Sequence, residues 1–326
     1  MAAVRNRKRE MVHGLVKNAP GSLQDNRRRI SDGRSKVHGP RTIAVRLNDG
    51  GTRSLPAELL FLNLGTHAAI PPVPGLAESA PLTNIELLEL DRVPEHLAEI
   101  VHIFTEEGIN VVAPAEIVSV SGHSGDGVNL LVRTPAGQTT ISGSDILVAT
   151  GRTPNTTGIG LESAGVKLDP RGYILVNDRL ETTAPNVWAI GECAGSPQFT
   201  HVSLDDFRII RDNLSGGRRT TRDRVIPSCL FTEPQVAHVG LTETEANRQG
   251  IAVRAAKLPA AAVLRTRTIG ETGGFMKALI DPKNDRILGF TMVGPEAGEV
   301  LAVVQMARRF SLHRAERSHS HAPDHG

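Results

Sequence analysis

The stretch that decides the fold reads Asp145-Ile-Leu-Val-Ala-Thr-Gly-Arg-Thr-Pro-Asn155. Its apolar first half predicts a buried strand over residues 145–149, and the strand ends at Thr150-Gly151. Because glycine has no Cβ, the backbone at such a turn can pass close to a bound dinucleotide. A second stretch is Val187-Trp-Ala-Ile-Gly-Glu-Cys-Ala194. It has the same pattern, an apolar strand that ends at a glycine, here Gly191. Both patterns favour strands that end beside a nucleotide.

The first of these stretches belongs to an internal repeat. Residues 42–55 predict a hairpin with its turn at 48–51, followed by an apolar strand over 59–64 that ends at Gly65-Thr66. Three short alternating strands within residues 116–141 likewise precede the strand over 145–149. Prolines follow both glycine turns. The repeat predicts two related nucleotide-binding modules, although strands that end in glycine are also common in unrelated αβ proteins.

The pattern changes beyond residue 226. Four predicted strands precede a helix that begins near Glu296, which indicates a second domain of α+β type. The strands cover residues 235–240, 251–257, 275–281 and 287–293. At the other end, residues 3–17 predict a short helix and residues 18–35 a loop.

Composition excludes several classes of protein. With 39% hydrophobic and 22% charged residues, the chain has the composition of a soluble globular protein. No apolar run reaches the ~20 residues of a membrane span, and the charged start lacks the apolar segment of a signal peptide. We therefore expect a cytoplasmic protein without a membrane partner.

A nucleic-acid partner is not expected either. The net charge is only +2, although the first 36 residues hold ten Lys or Arg against three acids. A basic arm for nucleic acid is the alternative, but the segment lacks interleaved aromatic residues, and a solvated helix face with a loop is favoured.

Cysteine usage is sparse. Cys193 and Cys229 are the only two cysteines, which excludes a disulfide framework and a cysteine-only metal site. Cys193 follows Glu192, and a neighbouring carboxylate raises a thiol pKa, so we expect a structural thiol. The histidines within residues 308–326 are interpreted as part of a polar, disordered tail, and no metal site is predicted.

The two quoted stretches together resemble paired signatures of the pyridine nucleotide-disulfide oxidoreductase family, of the mercuric reductase and dihydrolipoamide dehydrogenase type. Leu64-Gly65-Thr66 with the prolines of 71–75 is similar to that family's other glycine crossing. Residues 273–277 and 287–299 are similar to its C-terminal dimerisation domain.

The resemblance implies an α/β fold. It consists of incomplete FAD/NAD(P)-binding Rossmann-like domains with β-meander insertions, plus a C-terminal α+β dimerisation domain. The implied boundaries are 1–225 for the nucleotide-binding region, 226–307 for the dimerisation domain and 308–326 for an atypical disordered tail. A homodimer is implied. The implied function is that of an FAD-dependent enzyme, which in the intact family passes hydride from NAD(P)H through FAD to a disulfide or Hg(II).

The same resemblance supplies the candidate flavin site. Glu192 stands where the family usually has aspartate, and its carboxylate can accept hydrogen bonds from ribityl hydroxyls; the alternative is a surface carboxylate that merely follows a strand. The implied cofactor-binding residues are Gly65, Thr66, Gly191 and Glu192, with Ala149, Thr150, Gly151 and Arg152 lining the crossing between modules.

Several parts of the family pattern are missing. The chain has no GxGxxG after an opening strand, no CxxxxC pair and no His-Pro-Thr-x-x-Glu motif after residue 307. Residues 94–109 directly connect two segments that resemble the family, at a place where the family has a βαβ unit of ~30 residues for NAD(P)H between them. We therefore do not expect NAD(P)H to bind in the family's usual way, and no catalytic residue is assigned. The alternative function is a non-catalytic remnant without phosphate-binding loops or redox cysteines.

Overall fold

A computed structural model describes residues 6–13, 33–84, 108–112, 114–222 and 224–309. These divide into two compact units, one within residues 1–198 and 203–214 and the other within 199–202 and 215–326. Residues 6–13 are helical (α1), inside the predicted helix of 3–17. Most of the predicted deletion at 94–109 and of the tail at 308–326 lies outside the described residues.

The first unit contains a three-stranded antiparallel sheet, formed by β1 (Gly33–Val37), β2 (Thr42–Leu47) and β3 (Thr52–Pro56). The predicted hairpin is β2 and β3. Strand β1 starts inside the predicted loop of 18–35, and that boundary was wrong. A Cβ on Gly33 would lie 2.1 Å from the carbonyl oxygen of Arg46, so β1 approaches β2 too closely for any other residue there.

Two short parallel strands form the centre of the first unit. β4 (Leu60–Leu62) pairs with β10 (Val187–Ala189), and both contribute to the largest buried core of the unit. The outward-facing ring of Phe61 stacks on Trp188 with centroids 5.4 Å apart. Both predicted strands are therefore present, each shorter than its apolar run because only these residues find partners.

The repeat continues in a second three-stranded antiparallel sheet, as predicted. Its strands are β6 (Glu116–His123), β7 (Gly127–Thr134) and β8 (Gly137–Gly143). The strand predicted over residues 145–149 does not form. Among the described residues, Leu147 makes only an isolated parallel bridge with Leu82. Val148 is nevertheless buried in the small core behind the sheet.

The remaining elements of the first unit are short strands and helices that precede and follow β10 in the chain. β5 (Thr66–Ala68) pairs antiparallel with β9 (Arg152–Pro154), which joins the two copies of the repeat. Short 3-10 helices cover Leu161–Ala164 and Gly191–Ala194. Helix α2 (Thr200–Leu214) follows, and its residues Ser203–Leu214 belong to this unit.

The second unit is an α+β domain, as predicted. Its antiparallel sheet has the order β11-β12-β15-β14-β13. The strands are β11 (Pro227–Leu230), β12 (Gln235–Gly240), β13 (Arg254–Pro259), β14 (Phe275–Ile280) and β15 (Ile287–Gly294). The helices are α3 (Glu243–Arg248), α4 (Leu264–Ile269) and α5 (Ala297–Arg309). Helix α5 packs Ala297 and Leu301 against Ala237, Val239 and Met292 of the sheet.

No helix in the described part of the chain is both long and apolar enough to cross a membrane.

Candidate functional site

The pairing of β5 with β9 brings two glycine turns together. The Ala69 amide donates to the Gly151 carbonyl at 2.9 Å, and the Asn155 amide donates to the Gly65 carbonyl at 3.1 Å. Gly65 has φ 62° and Gly151 has φ 116°. A Cβ built on either glycine meets no heavy atom within 4 Å. Both turns therefore border open space, as expected where a backbone makes way for a ligand.

Polar side chains hold these turns in place. The Asn155 amide nitrogen donates to the Leu64 carbonyl at 2.9 Å, and its oxygen lies 2.7 Å from Nδ1 of His67. The Thr150 hydroxyl donates to the Ala69 carbonyl at 3.1 Å. Each bond joins one copy of the repeat to the other, so the crossing is fixed from both sides.

A charged network lies beside the crossing. Nε of Arg152 donates to Oε2 of Glu192 at 3.1 Å and to the Thr66 hydroxyl at 2.5 Å, while Nη2 donates to the Thr66 carbonyl at 2.8 Å. The Thr66 hydroxyl also donates to Oε2 of Glu192. The side chains of Arg152 and Glu192 are each 29% exposed, so the carboxylate is held in place yet reachable from solvent.

Gly191 sets the position of Glu192. It has φ 70°, and its amide donates to Oδ2 of the fully buried Asp206 at 2.8 Å. A Cβ at this position would lie 3.0 Å from the Ser203 hydroxyl oxygen. Asp206 was missed in the sequence, yet it lies three and four residues before Ile209 and Ile210, which are also buried. That helical spacing was the signal for a buried carboxylate.

Cys193 is enclosed by the same turn. Its side chain is fully buried, and its sulfur accepts a hydrogen bond from the Leu64 amide at 3.4 Å. Burial raises the pKa of the Cys193 thiol, and the backbone hydrogen bonds from Leu64 and Gly65 oppose that rise. A neutral, enclosed thiol is not a nucleophile.

The structure brings seven of the eight predicted residues into this arrangement. Gly65, Thr66, Gly151, Arg152, Gly191 and Glu192 surround the crossing, and the Thr150 hydroxyl bonds across it. Ala149 is an exposed residue that leads into it. Among the described residues, no cluster of three histidine, cysteine or acidic side chains is arranged to hold a metal ion.

Comparison with known proteins assigns the family. A profile described as pyridine nucleotide-disulphide oxidoreductase matches residues 85–206, and one described as the dimerisation domain of the same family matches residues 226–322. Mercuric reductase of Streptomyces lividans is 30% identical over 318 residues, which cover 83% of this chain and 67% of that protein. The chain belongs to the class I pyridine nucleotide-disulfide oxidoreductase family.

Other relatives support the assignment. The probable pyridine nucleotide-disulfide oxidoreductase RclA of Escherichia coli is 29% identical over 85% of this chain and 71% of its own length. Dihydrolipoyl dehydrogenase of Thermus scotoductus is 40% identical over 62% of this chain and 44% of its own length. The solved HOCl-induced flavoprotein disulfide reductase RclA superposes with a TM-score of 0.86, at 28% identity, over 99% of this chain and 82% of that one. The chain thus spans 44% to 71% of the length of these sequence relatives.

Family membership confirms the predicted fold class and the oxidoreductase-like character of the chain. The dimerisation profile extends to residue 322, into the segment that we predicted to be an atypical tail.

Proposed function

We propose that this chain binds FAD at the crossing of its two repeats and acts as an FAD-dependent oxidoreductase of its family. The observation that carries the proposal is the pair of glycine turns at Gly65 and Gly151, which face open space beside a carboxylate held at a fixed position. Turns of this kind let a planar cofactor lie against the backbone, and the carboxylate supplies an acceptor for its hydroxyl groups.

The residues present fit the ribityl part of a flavin. Glu192 offers carboxylate oxygens, and Thr66 beside it offers a hydroxyl. Asp206 holds the Gly191 amide and so fixes the start of the turn that carries Glu192. A bound flavin supplies the capacity to accept and pass on a hydride, whereas these residues bind and orient it.

The proposed reaction class is that of the relatives, hydride transfer from NAD(P)H through flavin to an acceptor. Disulfides and Hg(II) are the acceptors that the names of the relatives suggest. A second candidate is flavin binding without turnover. This candidate is favoured because the chain lacks the pair of redox cysteines. Its only cysteines are Cys193 and Cys229, and the Cys193 thiol is buried and protonated, because burial raises its pKa.

The test is retention of flavin. Purified chain is incubated with FAD and desalted, and the flavin band at ~450 nm is measured. We expect the wild type to retain the band and Gly65→Val to lose it, because the new side chain occupies the space beside the turn. Gly158→Val is the matched control, since Gly158 also has a positive φ, 71°, and open surroundings but lies outside the paired residues of β5 and β9.

The outcomes separate the two candidates. A colourless wild type contradicts FAD binding. If flavin is retained, NAD(P)H oxidation by the loaded protein distinguishes an enzyme from a binding protein without turnover.

A further inference from the structure

Glu192 is held through one of its two carboxylate oxygens. Both the Thr66 hydroxyl and Nε of Arg152 donate to Oε2. Within the described part of the chain, the side-chain hydrogen bonds of Glu192 both go to that oxygen, which leaves Oε1 as an available acceptor. A carboxylate accepts at both oxygens, so one can be used for positioning and the other for a ligand.

Arg152 is suited to this positioning role. Its Nε reaches Oε2 of Glu192 at 3.1 Å while its Nη2 donates to the Thr66 carbonyl at 2.8 Å. The planar guanidinium thus connects the side chain of Glu192 to the backbone of β5 in a fixed orientation. Lysine, a point charge on a flexible stem, cannot make both bonds with the same geometry.

Positioning matters because Glu192 is long and partly exposed. A glutamate side chain has more rotatable bonds than an aspartate, and ordering it on binding costs conformational free energy. The side chain is 29% exposed, so packing alone does not fix its rotamer. An arginine that holds Oε2 removes that cost before the ligand arrives.

We propose that Arg152 is a positioning residue that orients Glu192 so that Oε1 accepts a hydrogen bond from a flavin hydroxyl, without itself contacting the flavin. This inference rests on the proposed flavin binding. It assigns the two residues different roles, Glu192 as ligand to the cofactor and Arg152 as its support.

A double-mutant cycle tests the assignment. FAD dissociation constants are measured by flavin fluorescence quenching for the wild type, Arg152→Gln, Glu192→Ala and the double variant. We expect Arg152→Gln to weaken FAD binding about threefold to tenfold, from the loss of a partly exposed ion pair and of rotamer order. In the Glu192→Ala background, the same arginine substitution should have no further effect, because its target is gone.

Two more variants serve as a control and as a conservative replacement of Arg152. Arg133→Gln is the control, because Arg133 forms an exposed ion pair with Glu116 at 2.6 Å in the same unit, and its loss should leave FAD binding unchanged. Arg152→Lys keeps the charge and should recover only part of the affinity. Circular dichroism melts of the flavin-free variants show whether each one folds.

The possible failures are distinguishable. If the wild type binds FAD but Arg152→Gln binds it equally well or more tightly, the positioning role is overturned. Additive losses in the double variant overturn it too, because they would mean that Arg152 acts independently of Glu192. If no folded variant, including the wild type, binds FAD, the proposed function fails and this inference fails with it.

Discussion

At the scale of single residues, Gly191 is the most constrained position of the site. Its positive φ and the Ser203 hydroxyl 3.0 Å from a potential Cβ both oppose a side chain. We expect Gly191→Ala to lower the free energy of unfolding by about 1–3 kcal/mol, measured by urea denaturation. Gly158→Ala has a similar φ without the crowding, so the difference between the two variants measures the contact with Ser203. Equal losses would show that Ser203 moves freely.

The thiol of Cys193 predicts a pH dependence of stability. Burial raises its pKa above the ordinary value of 9.0, so the unfolded chain releases this proton at a lower pH than the folded chain does. The resulting stabilisation is complete below pH 9.0 and is lost as the pH rises through the folded-state pKa. We expect the urea-derived stability of the wild type to fall more steeply above pH 9.0 than that of Cys193→Ala.

The control for this comparison is Cys229→Ala, which removes the less buried thiol. It should change the slope less than Cys193→Ala does. Parallel pH profiles of the wild type and Cys193→Ala would contradict the assignment.

A site residue could be predicted from the sequence where its role rests on a local pattern, and not where its role rests on a contact between distant residues. Gly65, Gly151 and Gly191 could be proposed from the sequence because a strand that ends in glycine is a local pattern. Arg152 was placed only as lining the crossing, since its contact with Glu192 joins residues 40 positions apart and exists only after β5 and β9 pair. The expected rise in the pKa of Cys193 was assigned to Glu192, whereas the first cause is burial.

At the scale of elements, the stack of Phe61 on Trp188 links the two parallel strands on the face opposite Leu60 and Leu62. The rings are 26° from parallel, and Phe61 is 43% exposed while Trp188 is 8% exposed. Phe61→Leu should lower the free energy of unfolding by about 1 kcal/mol and shift tryptophan emission to longer wavelength. Trp188 is the only tryptophan, so the emission reports the surroundings of this one ring, which are the Phe61 stack and the buried cluster with Leu180, Ile209 and Ile210.

Phe207→Leu provides the matched control for this stack. Phe207 is 47% exposed in the same unit, and its ring faces the Arg211 guanidinium instead of an indole. The emission should remain unchanged in that variant. An unchanged spectrum in Phe61→Leu as well would show that the stack does not persist in solution.

Strands were predictable where alternation and turn residues agreed. β12, β14 and β15 each match a predicted range to within a residue at either end. β11 was not predicted, because Pro227 and Cys229 are weak strand signals and the strand exists through pairing with β12. The strand predicted over residues 145–149 is the opposite case, since this apolar run forms only the isolated bridge of Leu147 with Leu82 among the described residues.

At the scale of the whole molecule, the two copies of the repeat resemble each other more in the structure than in the sequence. The first copy was predicted as a hairpin, but β1 makes it a three-stranded sheet like that of β6, β7 and β8. The two copies then end at Gly65 and Gly151, which β5 and β9 bring side by side. The candidate site therefore depends on both copies of the repeat, because neither copy alone would border it on both sides.

Assembly gives the last prediction, that the chain forms a homodimer through its second unit. The dimerisation profile covers this unit, and it carries large exposed apolar side chains, with Phe231 at 87%, Leu264 at 77% and Val303 at 68% exposure. Val303 and Met306 are three residues apart on α5 and so lie on one face of the helix. Burying such side chains against a second copy is the favourable alternative to leaving them in water.

Sedimentation velocity distinguishes a monomer from a dimer directly. We expect the wild type to sediment as a dimer, and Val303→Asp to weaken association at least about 100-fold, because a carboxylate buried without a partner costs several kcal/mol. Asn247→Asp adds the same carboxylate at an exposed polar position of α3 and should leave the dimer intact. A wild type that remains monomeric at every concentration would mean that these side chains stay exposed to water.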